Sequence, residues 1–143
     1  MRRITQTLLG PGDGYPHSGL VPGNCMQAAI ASMLDLDLAA VPHFALFEDW
    51  RRALHMWARP YGWDTLSLGE GPHVQGWTLT GGARLDRADL PDPLLLLGTS
   101  PRGTDHAVVG TRYKRCVWDP HPSRVGLSEV RWFVPFLPVE TSS

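Results

Sequence analysis

The chain is poor in cysteine: Cys25 and Cys116 are the only two in 143 residues. Two thiols make no disulfide scaffold, and a chain of this length has surface enough to bury a core without one. Metal-ligand spacing is also missing. Zinc is usually held by tight local pairs such as Cys-x-x-Cys, and none occurs. That leaves Cys116, Asp119 and His121 as a weak metal set, and the His-x-Glu and Pro-Cys-x-x-Cys pairing of zinc deaminases is absent. Neither a metal nor an organic cofactor is expected. Charge of one sign is lacking too. The formal net charge is -1, so no broad electrostatic footprint for nucleic acid or anionic membrane exists. Lys114 is the only lysine, and arginine carries nearly all the positive charge. No apolar run approaches membrane-spanning length. The basic start at Met1-Arg2-Arg3 meets Gly10 and Pro11 before any adequate apolar stretch, so no signal peptide is expected. A reducing cytoplasm is the expected compartment, and it suits a free thiol.

Thirteen prolines and fifteen glycines imply a loop-rich fold with sharp turns. One domain over 1–143 is expected: an N-terminal segment and loop at 1–23, a helical part at 24–60, a mainly sheet part at 61–137, and a tail at 138–143. Between Asn24 and Leu34 no residue is charged, which predicts a central helix buried on all sides. Asn24 is its expected N-cap, and Gln27 stands where a capping-box partner belongs. A second helix is expected from about Phe47 to Arg59, stopped by Pro60. Strands are expected near Asp64–Leu68 and at Val74–Thr80, Pro93–Gly98, His106–Arg112 and Lys114–Trp118. The last two should pair as a hairpin. A final strand, Arg131–Leu137, contains a proline and is therefore expected at an edge. Helices precede strands, which points to an α+β fold with a buried N-terminal helix packed on an antiparallel sheet.

Three short segments carry chemistry. Gly23-Asn24-Cys25-Met26-Gln27-Ala28 places a cysteine at the first position of the buried helix, where free N–H groups and the helix dipole favour a thiolate. Asp105-His106-Ala107-Val108 places an imidazole at the start of a strand, where it can reach another element and take the thiol proton. Val117-Trp118-Asp119-Pro120 places a carboxylate at the end of the neighbouring strand, where it can fix the imidazole tautomer. Asp105 alternates to the opposite sheet face from His106 and is not the expected orienter. Each residue has a bland alternative: a buried structural cysteine, a surface histidine, a turn-initiating Asp-Pro. The order Cys, His, Asp on these elements outweighs them together.

The set resembles the papain-like cysteine peptidase superfamily. It is closest in style to compact bacterial and phage members such as the leader-processing double-glycine peptidases. The resemblance implies Cys25 as nucleophile, His106 as general base and Asp119 as orienter. It implies a peptide or protein substrate, with neither nucleic acid nor membrane as partner. For the oxyanion, the Cys25 backbone N–H is one expected donor. Side-chain candidates are His17, Ser18 and Asn24, with Gln27 nearby and expected to cap. Many such enzymes carry a glutamine about six residues before the cysteine; here that position is Gly19. Arg102, just before His106, is a candidate for a carboxylate on substrate. The tryptophans Trp57, Trp63, Trp77, Trp118 and Trp132 are candidates for the groove or, for most of them, the core. Cys116 is expected to pack beside Trp118. The expected activity is cysteine-dependent amide-bond hydrolysis through a thioester. Glutamine deamidation or transglutaminase-type acyl transfer on the same triad is an alternative. A non-catalytic binding protein on the same fold is another, favoured slightly by the missing upstream glutamine and the loop-rich surface.

Overall fold

A computed structural model describes residues 1–10, 22–71 and 74–139. The fold is mixed helix and antiparallel sheet. Helix α1 spans Cys25–Leu34 and α2 spans Trp50–Ala58. The strands are β1 Trp63–Thr65, β2 Leu68–Gly69, β3 Gly76–Thr78, β4 Arg84–Asp86, β5 Leu94–Thr99, β6 Asp105–Gly110, β7 Cys116–Trp118, β8 Glu129–Val134 and β9 Phe136–Pro138. The main sheet runs β2-β8-β5-β6-β7 and is antiparallel throughout. β1 pairs with β9, and β3 with β4, as two small satellites.

The central strand β5 explains why the sheet holds. Leu94, Leu95, Leu96 and Leu97 are all buried, so both faces of the strand are covered. Leu95 and Leu97 join Ala107, Val109 and Val134 under the helices. Leu94 and Leu96 join Val108, Phe133, Leu68 and Leu90 in a second cluster, covered by Trp77 and Leu85 of the β3–β4 hairpin. Each fully buried leucine contributes about 2 kcal/mol of transfer free energy before entropy is counted. Helix α1 lies against β6 with Ala28, Ala29, Ile30 and Ala31 fully buried. It ends at Asp35, whose φ of 57° turns the chain, and the Leu36 N–H donates back to the Ala31 carbonyl at 2.9 Å. This closes the helix in the Schellman manner.

Several expectations need correction. The second helix begins later than expected, because Asp49 caps it: its carboxylate accepts from the Arg52 N–H at 3.3 Å. Pro60 does not stop the chain abruptly but sits inside a 3-10 turn, Arg59–Tyr61, that continues from the helix. The strand expected near Asp64–Leu68 is two short strands, β1 and β2, in different sheets. Lys114 is not in a strand; it holds a φ of 71° in the turn before β7. The final strand is two strands, of which β9 is an edge in its two-stranded sheet and β8 is not. Pro135 falls between β8 and β9, so β8 is free to sit inside the main sheet between β2 and β5.

The narrowest point in the sheet is Gly98, where β5 crosses a register shift against β8. A Cβ there would run into the Glu129 carbonyl oxygen. That neighbour is backbone of the paired strand and has no rotamer in which to retreat. Gly98→Ala is expected to cost about 2–3 kcal/mol, as overpacking does. Urea unfolding followed by tryptophan fluorescence measures it.

Candidate active site

The three residues singled out from the sequence meet. Cys25 opens α1, His106 is the second residue of β6, and Asp119 follows β7 directly. The His106 Nε2 lies 2.6 Å from Asp119 Oδ1, and both side chains are buried. Cys25 and His106 line the same cleft, and Cys25 is one of the groups that raise the imidazole. Since Nε2 is taken by Asp119, Nδ1 is the atom left for sulfur. Asp105 is excluded as orienter, its side chain being 95% exposed.

The Asp119 carboxylate has every oxygen committed. Oδ1 also accepts the His121 backbone N–H at 2.9 Å, and Oδ2 accepts the Gly126 N–H at 2.8 Å. Burial pushes this carboxyl up, but the His106 bond and the two backbone N–H groups outweigh burial and hold it at about 2. For His106 burial pushes the imidazole down. The hydrogen bond it donates to Asp119, the influence of Cys25 and the Asp119 charge reverse that and raise it to about 9.

The N-terminal segment straps the two halves together. The Arg2 N–H donates to the Ser32 carbonyl and the Ile4 N–H to Ser32 Oγ, which tie it to α1. The Gln6 N–H donates to the Pro120 carbonyl at 3.0 Å, and the Trp118 indole N–H donates to the Ile4 carbonyl, which tie it to β7 and its loop. Arg124 adds bonds to Thr5 Oγ1 and the Asp119 carbonyl.

Asn24 is the correction that matters most. It occupies the N-cap position, yet its side chain makes no cap hydrogen bond. Its Oδ1 instead accepts the N–H groups of both Thr7 and Leu8, and its Nδ2 donates to Thr7 Oγ1 and Gln27 Oε1. Gln27 does not cap either. Its Nε2 donates to the Leu38 and Val41 carbonyls, holding the chain after α1. Both amides are consumed in structure and leave the oxyanion role to others. His17, Ser18 and Gly19 lie outside the described residues.

A residue the sequence reasoning passed over is Gln6. Its side chain is buried in a cleft of about 920 Å³ that Cys25 and His106 also line. Its Nε2 donates one hydrogen to the Leu8 carbonyl at 2.8 Å and has a second to give. Its Oε1 has no partner among the described residues. The signal was a glutamine ahead of the cysteine, but the Gly/Pro loop at 10–23 separates the two and defeats a search at fixed spacing. The Cys25 N–H, at the first helical position, is one of the four a helix leaves free.

Arg102 lines the same cleft and donates to Ser123 Oγ at 2.8 Å. Among the expected tryptophans, only Trp132 faces the cleft, joined by Trp50; Trp57, Trp63 and Trp118 pack on the main core and Trp77 on the second cluster. Cys116 is exposed, contrary to its expected packing role, because the β6–β7 register shifts at Val109/Gly110. No cluster of His, Cys, Asp or Glu among the described residues has metal-binding geometry. No single helix there is long and apolar enough to cross a membrane. No protein-family model, curated protein or solved structure matches this chain.

The ion pair predicts a pH dependence. Folded His106 keeps its proton up to about 9, whereas an unfolded histidine releases it near about 6.5. Between these values the native state binds more protons than the unfolded chain. Stability from this group is therefore complete below the lower value and is lost as pH rises through the upper one. Asp119 acts at the other end: folded near about 2 and unfolded near about 3.9, it contributes above the higher value and loses that contribution as pH falls. Urea unfolding at neutral pH and above pH 9 should show the alkaline loss in the wild type. His106→Gln should flatten it.

Proposed function

We propose that the chain is a papain-like, cysteine-dependent amide-bond hydrolase, acting on peptide or isopeptide bonds. The observation that carries this reading is the buried His106–Asp119 pair, whose imidazole shares one cleft with the Cys25 thiol. A thiol, a histidine and a fully satisfied carboxylate in that order serve a purpose in acyl transfer that they do not serve in packing.

In this reading the Cys25 proton already rests on His106 Nδ1, and the thiolate sulfur attacks the carbonyl carbon. The carbon–oxygen π pair moves to oxygen, which is held by the Cys25 N–H and the free hydrogen of Gln6 Nε2. The intermediate collapses to a thioester. The C–N bond breaks as His106 gives its proton to the departing amine. Water, deprotonated by His106, then attacks the thioester, the C–S bond breaks, and the acid leaves the thiolate beside the protonated imidazole. Asp119 keeps its charge throughout and stabilises the imidazolium. The alternative of a non-catalytic binding protein drew on a loop-rich surface and, more specifically for the site, on support from a missing upstream glutamine. Gln6, in the cleft, removes that support.

The test follows both thiols by peptide mass during iodoacetamide treatment at about pH 6, where a free thiol near 8.5 is almost wholly protonated. Cys25 should alkylate at least about tenfold faster than free cysteine, and His106→Ala should abolish the advantage. A Cys25 that behaves as an ordinary thiol in both proteins overturns the reading.

A second measurement examines Gln6. On any peptide of a quenched fluorogenic library that is cleaved, Gln6→Ala should lower kcat by about 10²–10³, the size of one oxyanion donor. Gln6→Glu should not rescue it, because a carboxylate offers no hydrogen.

A further inference from the structure

The cleft is electropositive although the chain as a whole is not. Among the described residues it is lined by Arg51, Arg102 and Arg131 against the single carboxylate of Asp105. Asp105 lies 3.8 Å from Arg131 and offsets that charge. Arg51 and Arg102 pair with no carboxylate among the described residues. Arg51 is held between the Trp50 and Trp132 rings, at 4.6 and 4.8 Å from their centroids, and walls the β5–β8 side of His106.

On the β7 side stands a built group. The Ser123 backbone N–H donates to His121 Nδ1 at 3.0 Å, so Nδ1 is an acceptor and the hydrogen of the neutral ring sits on Nε2. Ser123 Oγ lies 2.8 Å from the same Nδ1 and accepts from Arg102. Ser123 thus ties the guanidinium and the imidazole side by side. The His121 ring stands edge-on to the His106 ring, centroids 6.0 Å apart. Burial and the charges of Arg102, His106 and Arg124 push His121 down, which keeps it a neutral donor.

Resting on the hydrolase reading above, we infer that Arg102 and His121 form a carboxylate-binding subsite for the leaving-group part of the substrate. The class of substrate is then an amide whose departing amine carries a nearby carboxylate. The geometry supplies the side. The departing amine must touch His106 to receive its proton, and the group next beyond His106 toward β7 is His121 with Arg102. Arginine offers five donors in a planar fork, and His121 adds Nε2–H, a set matched to carboxylate oxygens. Both are specificity residues here; neither moves a proton in the reaction.

The experiment compares iodoacetate with iodoacetamide at Cys25, each rate divided by that of N-acetylcysteinamide in the same mixture. These reagents alkylate the same sulfur and differ in one carboxylate. The iodoacetate preference should be about tenfold or more at low salt, as a cleft of one sign concentrates the opposite ion. It should fall with ionic strength. It should also fall several-fold in Arg102→Gln and in His121→Phe. The salt dependence is read on the wild type, so it stands if either variant fails to fold. A preference near one, or one that salt leaves untouched, overturns the subsite. The iodoacetamide rate and its dependence on His106 report on the hydrolase reading separately. Protection of Cys25 from iodoacetamide then identifies the source of the carboxylate. Glycylglycine alone protecting assigns a chain terminus, and glycylglutamic acid α-amide protecting assigns an acidic side chain. Glycylglycinamide protecting as well as either overturns the inference.

Discussion

The buried carboxylate of Asp119 is the constraint on which the rest depends. An ionised carboxyl out of water is costly unless each lone pair finds a donor. This one finds His106, the His121 N–H and the Gly126 N–H. Two of those donors are backbone, so the segment from Asp119 to Gly126 must curl around the charge. That curl places His121 in the cleft and gives Arg124 a reason to bond both the Asp119 carbonyl and the N-terminal segment. The satisfied carboxylate in turn fixes the orientation of the imidazole, with Nε2 toward Asp119. Charge, loop shape and imidazole orientation are therefore one problem with one solution.

The N-terminal strap solves a second problem. Cys25 belongs to the helical layer and His106 to the sheet layer, and the cleft they both line needs the two layers held in place. Residues 2–6 bond Ser32 of α1 and Pro120 beyond β7, bridging the layers at the site. Asn24, next to the nucleophile, seals the strap by accepting the Thr7 and Leu8 N–H groups. Giving up its own cap leaves the first-turn N–H groups of α1 uncommitted by a side chain, which is what an oxyanion requires of them. The same strap delivers Gln6 to the cleft.

Much of this was legible in the sequence where the signal was local. An uncharged run predicts α1 because burial on all sides excludes charge, and four consecutive leucines predict β5 because both sheet faces are covered. The positions of Cys25, His106 and Asp119 followed from their places at element starts and ends. What was not legible depended on partners distant in sequence. Asn24 carries the residue type and position of a cap, and only the approach of Thr7 and Leu8 diverts it. Gln6 is separated from Cys25 by a Gly/Pro loop, so spacing carried no information about proximity. Pro135 looked like an edge marker, because a sequence does not reveal that the chain changes sheets there. The β3–β4 hairpin had a legible first strand and an illegible second: Arg84-Leu85-Asp86 offers one apolar residue, and its pairing is set by Leu85 covering the second core cluster.

The small residues of α1 complete the argument. Ala28, Ala29 and Ala31 are fully buried, and α1 packs on β6, the strand that carries His106. Interaxial and interlayer distances are set by the side chains at the contact. Alanine at these positions brings the helix backbone close to the strand, and the sulfur of Cys25 with it. A leucine in their place would supply more apolar area and would read as a better core residue by burial alone. It would also move the helix outward by an amount comparable to the tolerance of a hydrogen bond. The composition of this helix is therefore better understood as setting a distance between Cys25 and His106 than as maximising hydrophobic burial.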